Sequence, residues 1–201
     1  MDLNKFTVKS QEAMQEAQTK AINFAHQEAD GEHLLMALVE QSEGLFPRIL
    51  QRMEISIEAF RDLLAQELEK KPRVSGSGIE PGKVYVTQRL NKLLVKAQDE
   101  ARKLKDEYVS VEHILLAFID EGSSTPTGKI FKGFNITRDL LLKTLTSVRG
   151  HQRVTSADPE GTYEALQKYG RDLVQEARKG RLDPVVGRDR RDSQGCQDTQ
   201  P

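Results

Sequence analysis

The sequence has a single cysteine, almost no net charge and no long apolar run. Cys196 lies in a polar segment near the end of the 201-residue chain, so the fold cannot depend on an internal disulfide, and we expect a cytoplasmic protein. Thirty basic and thirty-one acidic residues give a net charge of −1, without the basic excess typical of nucleic-acid binding. No segment approaches the ~18 consecutive apolar residues of a membrane helix, and the first residues lack the apolar centre of a signal peptide. We therefore expect neither nucleic acid nor a membrane as a partner.

Signatures of catalysis and metal binding are also missing. The chain has no HExxH order, no paired cysteines and no G-x-x-x-x-G-K-[ST] loop to hold the phosphates of ATP. Glu-His pairs do occur at Glu32-His33 and Glu112-His113, but neither has a nucleophile or further metal ligands beside it. We expect no catalytic residue, no metal site and no cofactor in this chain, and a small enzyme built on the Glu-His pairs is the least favoured hypothesis.

The two Glu-His pairs belong to an internal duplication. "GEHLLMAL" at residues 31–38 is matched by "VEHILLAF" at residues 111–118, and a shift of 80 residues also superposes Thr7 on Thr87 and Ala17 on Ala97. After the second helix of each copy the shift becomes 81, which places one inserted residue in a loop. One structural unit is therefore used twice.

Each unit is predicted to contain four helices. Apolar residues at three- and four-residue steps mark the first helix, as in Leu90, Leu93, Leu94, Ala97 and Ala101, or in Met14, Ala17, Ala21 and Ala25. The fold class is therefore all-α, with two tandem four-helix repeats packed about a pseudo-twofold axis. Repeat 1 spans about residues 1–71 and repeat 2 about residues 84–149, within one domain of residues 1–149.

Side chains that accept hydrogen bonds mark the helix starts. Thr7 and Thr87 are the expected N-caps of the first helices, and Asp30 and Ser110 those of the second. Short third helices are expected near Pro47 to Met53 and Gly128 to Gly133. The fourth helices should start after Ser56 and Thr137.

Polar segments follow the repeats. Residues 150–160 are expected to be a linker, and residues 161–189 to contain one further helix, with a stop signal at Gly180. The last segment, residues 190–201, has no apolar periodicity and is expected to be disordered.

Two functional interpretations of the repeated residues stay open. His33 and His113 are expected to be structural, each hydrogen-bonded to a neighbouring backbone group. Glu32 and Glu112 either stabilise a helix start through the helix dipole or form twin shallow sites for a bound chain. Most apolar residues outside the helical stripes are expected to cover the ends of the helices, and any that line the seam between the repeats would form an exposed groove suited to unfolded polypeptide. The residues outside the stripes are Leu3, Phe6, Val8, Val84, Tyr85, Val86, Tyr108 and Val109.

The doubled "EHLLMAL/EHILLAF" pattern, the leading "FTVKSQEAMQEAQTKA" and the later "YEALQKYGRDLVQEARKGRLDPVVGRD" together resemble the N-terminal region of the Clp family of AAA+ chaperones, most closely the ClpB-type disaggregases. The resemblance covers Met1 to about Asp189. It implies an eight-helix domain that binds misfolded or aggregated polypeptide for a hexameric ATPase ring, with the DnaK system as a further partner.

The resemblance also implies roles for particular residues. Thr7, Asp106 and Glu112 would lie on the substrate-contacting surface, with Glu32 and Thr87 at the equivalent places by pseudo-symmetry. Residues 161–189 would begin the first ATPase domain, where Val185, Val186 and Gly187 would border the adenine of ATP. They form only an edge of that pocket, so ATP would be a cofactor of the full-length parent and not of this chain.

An alternative within the same family is the N-domain of a protease-linked Clp ATPase, which docks an adaptor or a phosphorylated-arginine tag. In that case Glu32 and Glu112 would pair with the guanidinium part of the tag, because carboxylates match that planar group with two hydrogen bonds.

Overall fold

The computed structural model describes residues 2–73, 84–149 and 153–159. Within these ranges eight α-helices confirm the predicted all-α fold of two four-helix repeats. Repeat 1 contains α1 Val8–Asn23, α2 Gly31–Glu40, α3 Leu45–Arg52 and α4 Ile57–Glu69. Repeat 2 contains α5 Gln88–Leu104, α6 Val111–Asp120, α7 Pro126–Gly133 and α8 Arg138–Arg149. The helix expected within residues 161–189 and the segment of residues 190–201 lie outside the described residues.

The predicted N-caps are confirmed. Thr7 Oγ1 accepts the backbone N–H of Ser10, and Thr87 Oγ1 accepts that of Leu90 at 3.0 Å. Asp30 and Ser110 precede α2 and α6 in extended backbone. The starts of these four helices could therefore be found from single capping residues.

Three boundaries differ from the predictions. The third helices begin two residues early, at Leu45 and Pro126. Proline suits the first position of α7. It lacks a backbone N–H, and an N–H at this position would have no helical partner in any case. Ala25, predicted on the stripe of α1, has a φ of 57° and lies outside the helix, which ends at Asn23. This left-handed residue is a common helix stop, and it turns the chain so that the N–H of His26 bonds to Ala21.

The two central helices, α2 and α6, form the middle of the core. Residues 31–39 of α2 and 111–118 of α6 are all buried, which explains why the runs "LLMAL" and "ILLAF" have no polar face. Among the described residues, none of the helices combines the length and the apolar character needed to cross a bilayer.

Phenylalanine side chains join the two repeats into one core. Phe131 of repeat 2 stacks on Phe46 of repeat 1 with ring centroids 6.0 Å apart and meets Phe60 edge-on at 5.8 Å. Phe60 also stacks on Phe134 at 5.2 Å. Helix pairs that cross the boundary, such as α3 with α8 and α4 with α7, exchange places under the shift of 80 to 81 residues, as a pseudo-twofold arrangement requires.

Short backbone pairings also cross between the repeats. Strand β1, Glu28–Ala29, pairs in parallel with β2, Tyr85–Val86. The counterpart of this pairing is a parallel bridge between Phe6 and Val109. The segment before the first helix of each repeat is thus hydrogen-bonded to the segment after the first helix of the other repeat.

Arg89, the second residue of α5, adds a charged link across the same boundary. Its Nη1 lies 2.6 Å from Glu32 Oε1 in repeat 1, and its Nη2 lies 2.9 Å from Glu121 Oε2 in repeat 2. Glu32 is fully buried, so its charge depends on this partner and on Lys71 Nζ, 2.8 Å from Oε2. Buried charges without partners are strongly destabilising.

We expect Arg89→Met to lower the free energy of unfolding by about 3 kcal/mol, because it leaves the Glu32 carboxylate underpaired in the core. Urea unfolding followed by circular dichroism measures this. The control is Arg102→Met, which removes an exposed ion pair with Asp99 and should change stability by less than about 1 kcal/mol. Equal effects of the two substitutions would contradict the role given to Arg89.

Candidate functional site

An open groove of about 440 Å³ lies on the pseudo-twofold axis, between α1 and α5. We call it the seam groove. Gln11 and Asn91 are counterparts under the shift of 80, as are Met14 and Leu94, and all four line it. The complete lining is Leu3, Gln11, Met14, Gln15, Gln18, Ala29, Val86, Leu90, Asn91 and Leu94. No charged side chain belongs to this set, in a chain of which 30% of residues are charged.

Of the eight apolar residues outside the helical stripes, two line the groove and two form the bridge between the repeats, whereas Val8, Val84, Tyr85 and Tyr108 do not line it. Leu3 and Val86 line the groove and are 52% and 40% exposed. Phe6 and Val109 are instead buried, and their backbones form the bridge between the repeats. The seam groove therefore exists, and half of its six apolar lining residues, Met14, Leu90 and Leu94, lie on helix stripes that sequence periodicity assigns to the core.

Glu32 lies in a buried charge cluster at the start of α2. Its neighbour Asp30 accepts hydrogen bonds from Lys71 Nζ and from Thr87 Oγ1, both at 2.8 Å. Burial alone would raise the pKa of Asp30, but these bonds and that from the Gly31 N–H outweigh it and hold the pKa well below its ordinary value. Glu32 and Thr87 thus belong to one cluster, which spans both repeats.

Glu112 and Asp106 share a second cluster in repeat 2. Arg149 Nη1 donates to Glu112 Oε1, and Arg149 Nη2 lies 3.2 Å from Asp106 Oδ2. Asp106 Oδ1 also accepts the backbone N–H of Val154 at 2.9 Å. Burial raises the pKa of Asp106, but the hydrogen bonds from His113 and Val154 and the charge of Arg149 hold it below its ordinary value.

Thr7 is the fifth residue that the resemblance implies. It is fully buried at the start of α1, and its N–H donates to Val109 C=O at 3.0 Å. The side chains of Glu32, Asp106 and Glu112 are also buried. A bound chain could reach these groups only if they exchanged their internal partners. Val185, Val186 and Gly187 lie outside the described residues.

His33 and His113 bond to neighbouring backbone groups, as predicted. The N–H of Asp30 donates to His33 Nδ1, and the N–H of Ser110 donates to His113 Nδ1, both at 3.0 Å. Since Nδ1 accepts in each case, each ring must carry its proton on Nε2 when neutral. The two histidines are parts of the caps that start α2 and α6.

The second nitrogen of each ring meets a different partner in the two repeats. His113 Nε2–H donates to Asp106 Oδ2 at 3.0 Å, whereas His33 Nε2–H donates to His26 Nδ1 at 2.9 Å. Positions 26 and 106 are counterparts under the shift of 80. Repeat 2 therefore has a buried carboxylate where repeat 1 has a second imidazole.

The histidine pair of repeat 1 is held neutral. Burial, the adjacent His26 and the charge of Lys71 lower the pKa of His33 to about 4. Burial, followed by the charges of Lys71 and Arg73, lowers the pKa of His26. The unfolded chain, with histidine pKa values near 6.5, takes up protons at a pH where the folded chain does not.

We expect the free energy of unfolding to be highest above pH 6.5, where the histidines are neutral in both states. It should fall as the pH drops toward 4, because the unfolded chain then takes up protons that the folded chain does not. For His33 alone the loss between pH 7.5 and pH 5 is about 2 kcal/mol. His26→Asp places a carboxylate beside His33, as Asp106 lies beside His113 in repeat 2. The substitution should remove most of the loss of unfolding free energy at low pH that comes from the histidines. Urea unfolding of both proteins across this pH range checks it, and the same pH slope in both would contradict the account.

Sequence reasoning missed the cations that neutralise the buried glutamates. Arg89, Lys71 and Arg149 come from distant parts of the chain, and no local pattern pairs them with Glu32 or Glu112. One signal in the sequence could have indicated two of these cations, because Lys71 and Arg149 each lie at or just beyond the end of the fourth helix of their repeat.

Comparison with known proteins agrees with this architecture. The family model for the Clp repeat (R) N-terminal domain matches residues 5–134. The chaperone protein ClpB of Nitratidesulfovibrio vulgaris is 60% identical over 189 residues, which are 94% of this chain and 22% of that protein. ClpB of Bacillus cereus is 54% identical over the same share of each. The chain thus spans about a fifth of the length of these curated relatives.

Solved structures show the same fold. The Hsp104 N-terminal domain from Candida albicans superposes with a TM-score of 0.65 at 23% identity, and the match covers 78% of this chain and 99% of that one. The family match covers more than half of the chain and includes both Glu-His pairs. The chain belongs to the Clp repeat (R) N-terminal domain family.

Proposed function

We propose that this chain is the substrate-recognition module of a ClpB-type chaperone, and that its seam groove binds misfolded or aggregated polypeptide. Bound chains pass from the module to the ATPase ring of a longer parent protein, which uses ATP to disaggregate them, together with the DnaK system. The observation that carries the proposal is the uncharged, partly apolar lining of an open groove.

The composition of the groove fits a chain without regular structure. Leu3, Met14 and Val86 offer apolar contacts, and Gln15, Gln18 and Asn91 place amide groups beside them. Amides can both donate to and accept from a main chain whose hydrogen bonds are unmade. A volume of about 440 Å³ lies within the range of ordinary ligand sites, and its openness suits brief, weak contacts with many sequences.

Thr7 and Thr87 serve this function by fixing the walls of the groove, because they cap α1 and α5. Glu32, Asp106 and Glu112 hold the surrounding segments through their internal ion pairs. We propose that any contact of these five residues with substrate follows the exchange of those internal partners.

The alternative, recognition of a phosphorylated arginine, is less well supported. Arg89 and Arg149 already present guanidinium groups to Glu32 and Glu112. A tag would have to displace a tethered cation from a buried carboxylate, and this lowers its affinity. Isothermal titration with free phosphoarginine separates the two functions, since the tag-binding function requires saturable heat at millimolar ligand.

We expect the double substitution Leu3→Ser, Val86→Thr to weaken binding of an unfolded protein about five-fold or more, because it removes exposed apolar surface from the groove. The measurement is fluorescence anisotropy with labelled, reduced and carboxymethylated α-lactalbumin.

The matched control is Leu63→Ser, Leu140→Thr. These residues are 43% and 39% exposed on α4 and α8 and do not line the groove. The control should bind within about two-fold of the parent chain. Equal loss in both double variants would mean that general surface hydrophobicity, not the groove, binds the substrate.

A further inference from the structure

Part of the seam groove is formed by the first residues of the chain. Residues 2–6, which we call the N-terminal turn, contain the 3-10 helix Leu3–Lys5. The Leu3 side chain lines the groove and is 52% exposed, whereas Phe6 is fully buried. The N-terminal turn is therefore anchored in the core at one end and carries a groove residue near the other.

The two ends of the N-terminal turn are held by different contacts. Lys5 C=O accepts the N–H of Val109 at 2.7 Å, and Val109 C=O accepts the N–H of Thr7 at 3.0 Å. These bonds belong to the bridge between the repeats, and they hold residues 5–7. Residues 2–4 take no part in the bridge, and their bonds to backbone N–H groups stay within the turn.

The side chain of Gln11, in the first turn of α1, joins the N-terminal turn to that helix. Its Nε2 donates to Leu3 C=O at 3.0 Å and to Phe6 C=O at 2.9 Å. A primary amide has two N–H donors, so this side chain uses both. Within the part of the chain that the structure describes, the bond to Leu3 is the one hydrogen bond that joins residues 2–4 to an α-helix. Gln11 does this from a position in the lining of the seam groove.

The counterpart of Gln11 in repeat 2 is in a different environment. Asn91 corresponds to Gln11 under the shift of 80 and also lines the seam groove, but its side chain is shorter by one methylene. Its amide has no hydrogen-bond partner among the described residues. One of two equivalent amides is thus committed to the backbone of the N-terminal turn, and the other is not.

We propose that Gln11 is a positioning residue for the seam groove, because it holds the N-terminal turn so that Leu3 forms a fixed apolar wall before substrate binds. This inference rests on the proposed function. A wall that is already ordered in the free chain costs no further conformational entropy on binding, whereas a free turn must be ordered at that moment. Gln11 therefore acts through Leu3 and not through a contact of its own with substrate.

The test compares two isosteric substitutions in the full chain. Gln11→Met removes both donors to the turn, and Asn91→Leu removes an amide at the equivalent place, so each makes the groove more apolar. We expect Gln11→Met to weaken binding of carboxymethylated α-lactalbumin about three-fold or more, because the freed turn must be ordered again. Asn91→Leu should bind within about two-fold of the parent chain or more tightly. Fluorescence anisotropy with the labelled protein measures both affinities.

NMR relaxation of the unbound chain separates this role from a general loss of stability. In Gln11→Met the backbone order parameters of Leu3 and Asn4 should fall below about 0.6, the range of flexible backbone. The order parameter of Val109 should stay near that of rigid backbone, about 0.85, because the bridge does not involve Gln11. A similar fall at Val109, or unchanged order at Leu3 and Asn4, would overturn the proposal.

Two outcomes of the binding experiment would also overturn it. One is unchanged or tighter binding by Gln11→Met, which would mean that the groove responds only to its apolar area. The other is an equal loss in Gln11→Met and Asn91→Leu, which would mean that the lining amides contact the substrate themselves. Absence of seam binding in the parent chain would instead reject the proposed function, and this inference with it.

Discussion

The arrangement of the domain depends on an exchange of backbone hydrogen bonds between the repeats. The segment before α1 pairs with the segment after α5, and the segment before α5 pairs with the segment after α1. Each pairing is only two residues long or shorter, yet together they fix the starts of α1 and α5 relative to each other. The seam groove is the space that remains between those two helices. Its position is therefore a consequence of the duplication, and no insertion or separate element is needed to form it.

The two repeats keep their fold while their buried polar residues differ. Position 26 is histidine and its counterpart at position 106 is aspartate, although both bond to the same histidine of the next helix. Glu32 is neutralised by Lys71 and Arg89, and Glu112 by Arg149. A buried carboxylate needs a cation, but several chain positions can supply one.

Most of the fold could be predicted from the sequence, because its determinants are local or periodic. The shift of 80 to 81 residues, the apolar stripes and the capping residues predicted all eight helices, although both third helices begin two residues earlier than expected. The two-residue strands could not be found, because alternation has no meaning over so short a length. The end of α1 could not be predicted from residue type. Ala25 is an ordinary helix former, but it adopts a left-handed conformation that its surroundings impose.

The candidate site was harder to predict than the fold. Met14, Leu90 and Leu94 lie on apolar helix stripes, and periodicity cannot separate a residue that faces the core from one that lines a groove. The repetition of Glu32 and Glu112 in the sequence suggested a functional role. Their burial could not be predicted, because the cations that neutralise them, Arg89 and Arg149, are distant in sequence. Whether a repeated polar residue binds a ligand or an internal partner depends on long-range packing.

The central claim is that unfolded polypeptide binds along the pseudo-twofold seam. The most direct measurement is a methyl NMR titration of the chain with carboxymethylated α-lactalbumin. The account predicts that the methyl groups of Leu3, Met14, Val86, Leu90 and Leu94 shift together with one affinity. Shifts centred on Leu63 and Leu140, with the seam methyl groups unchanged, would contradict it.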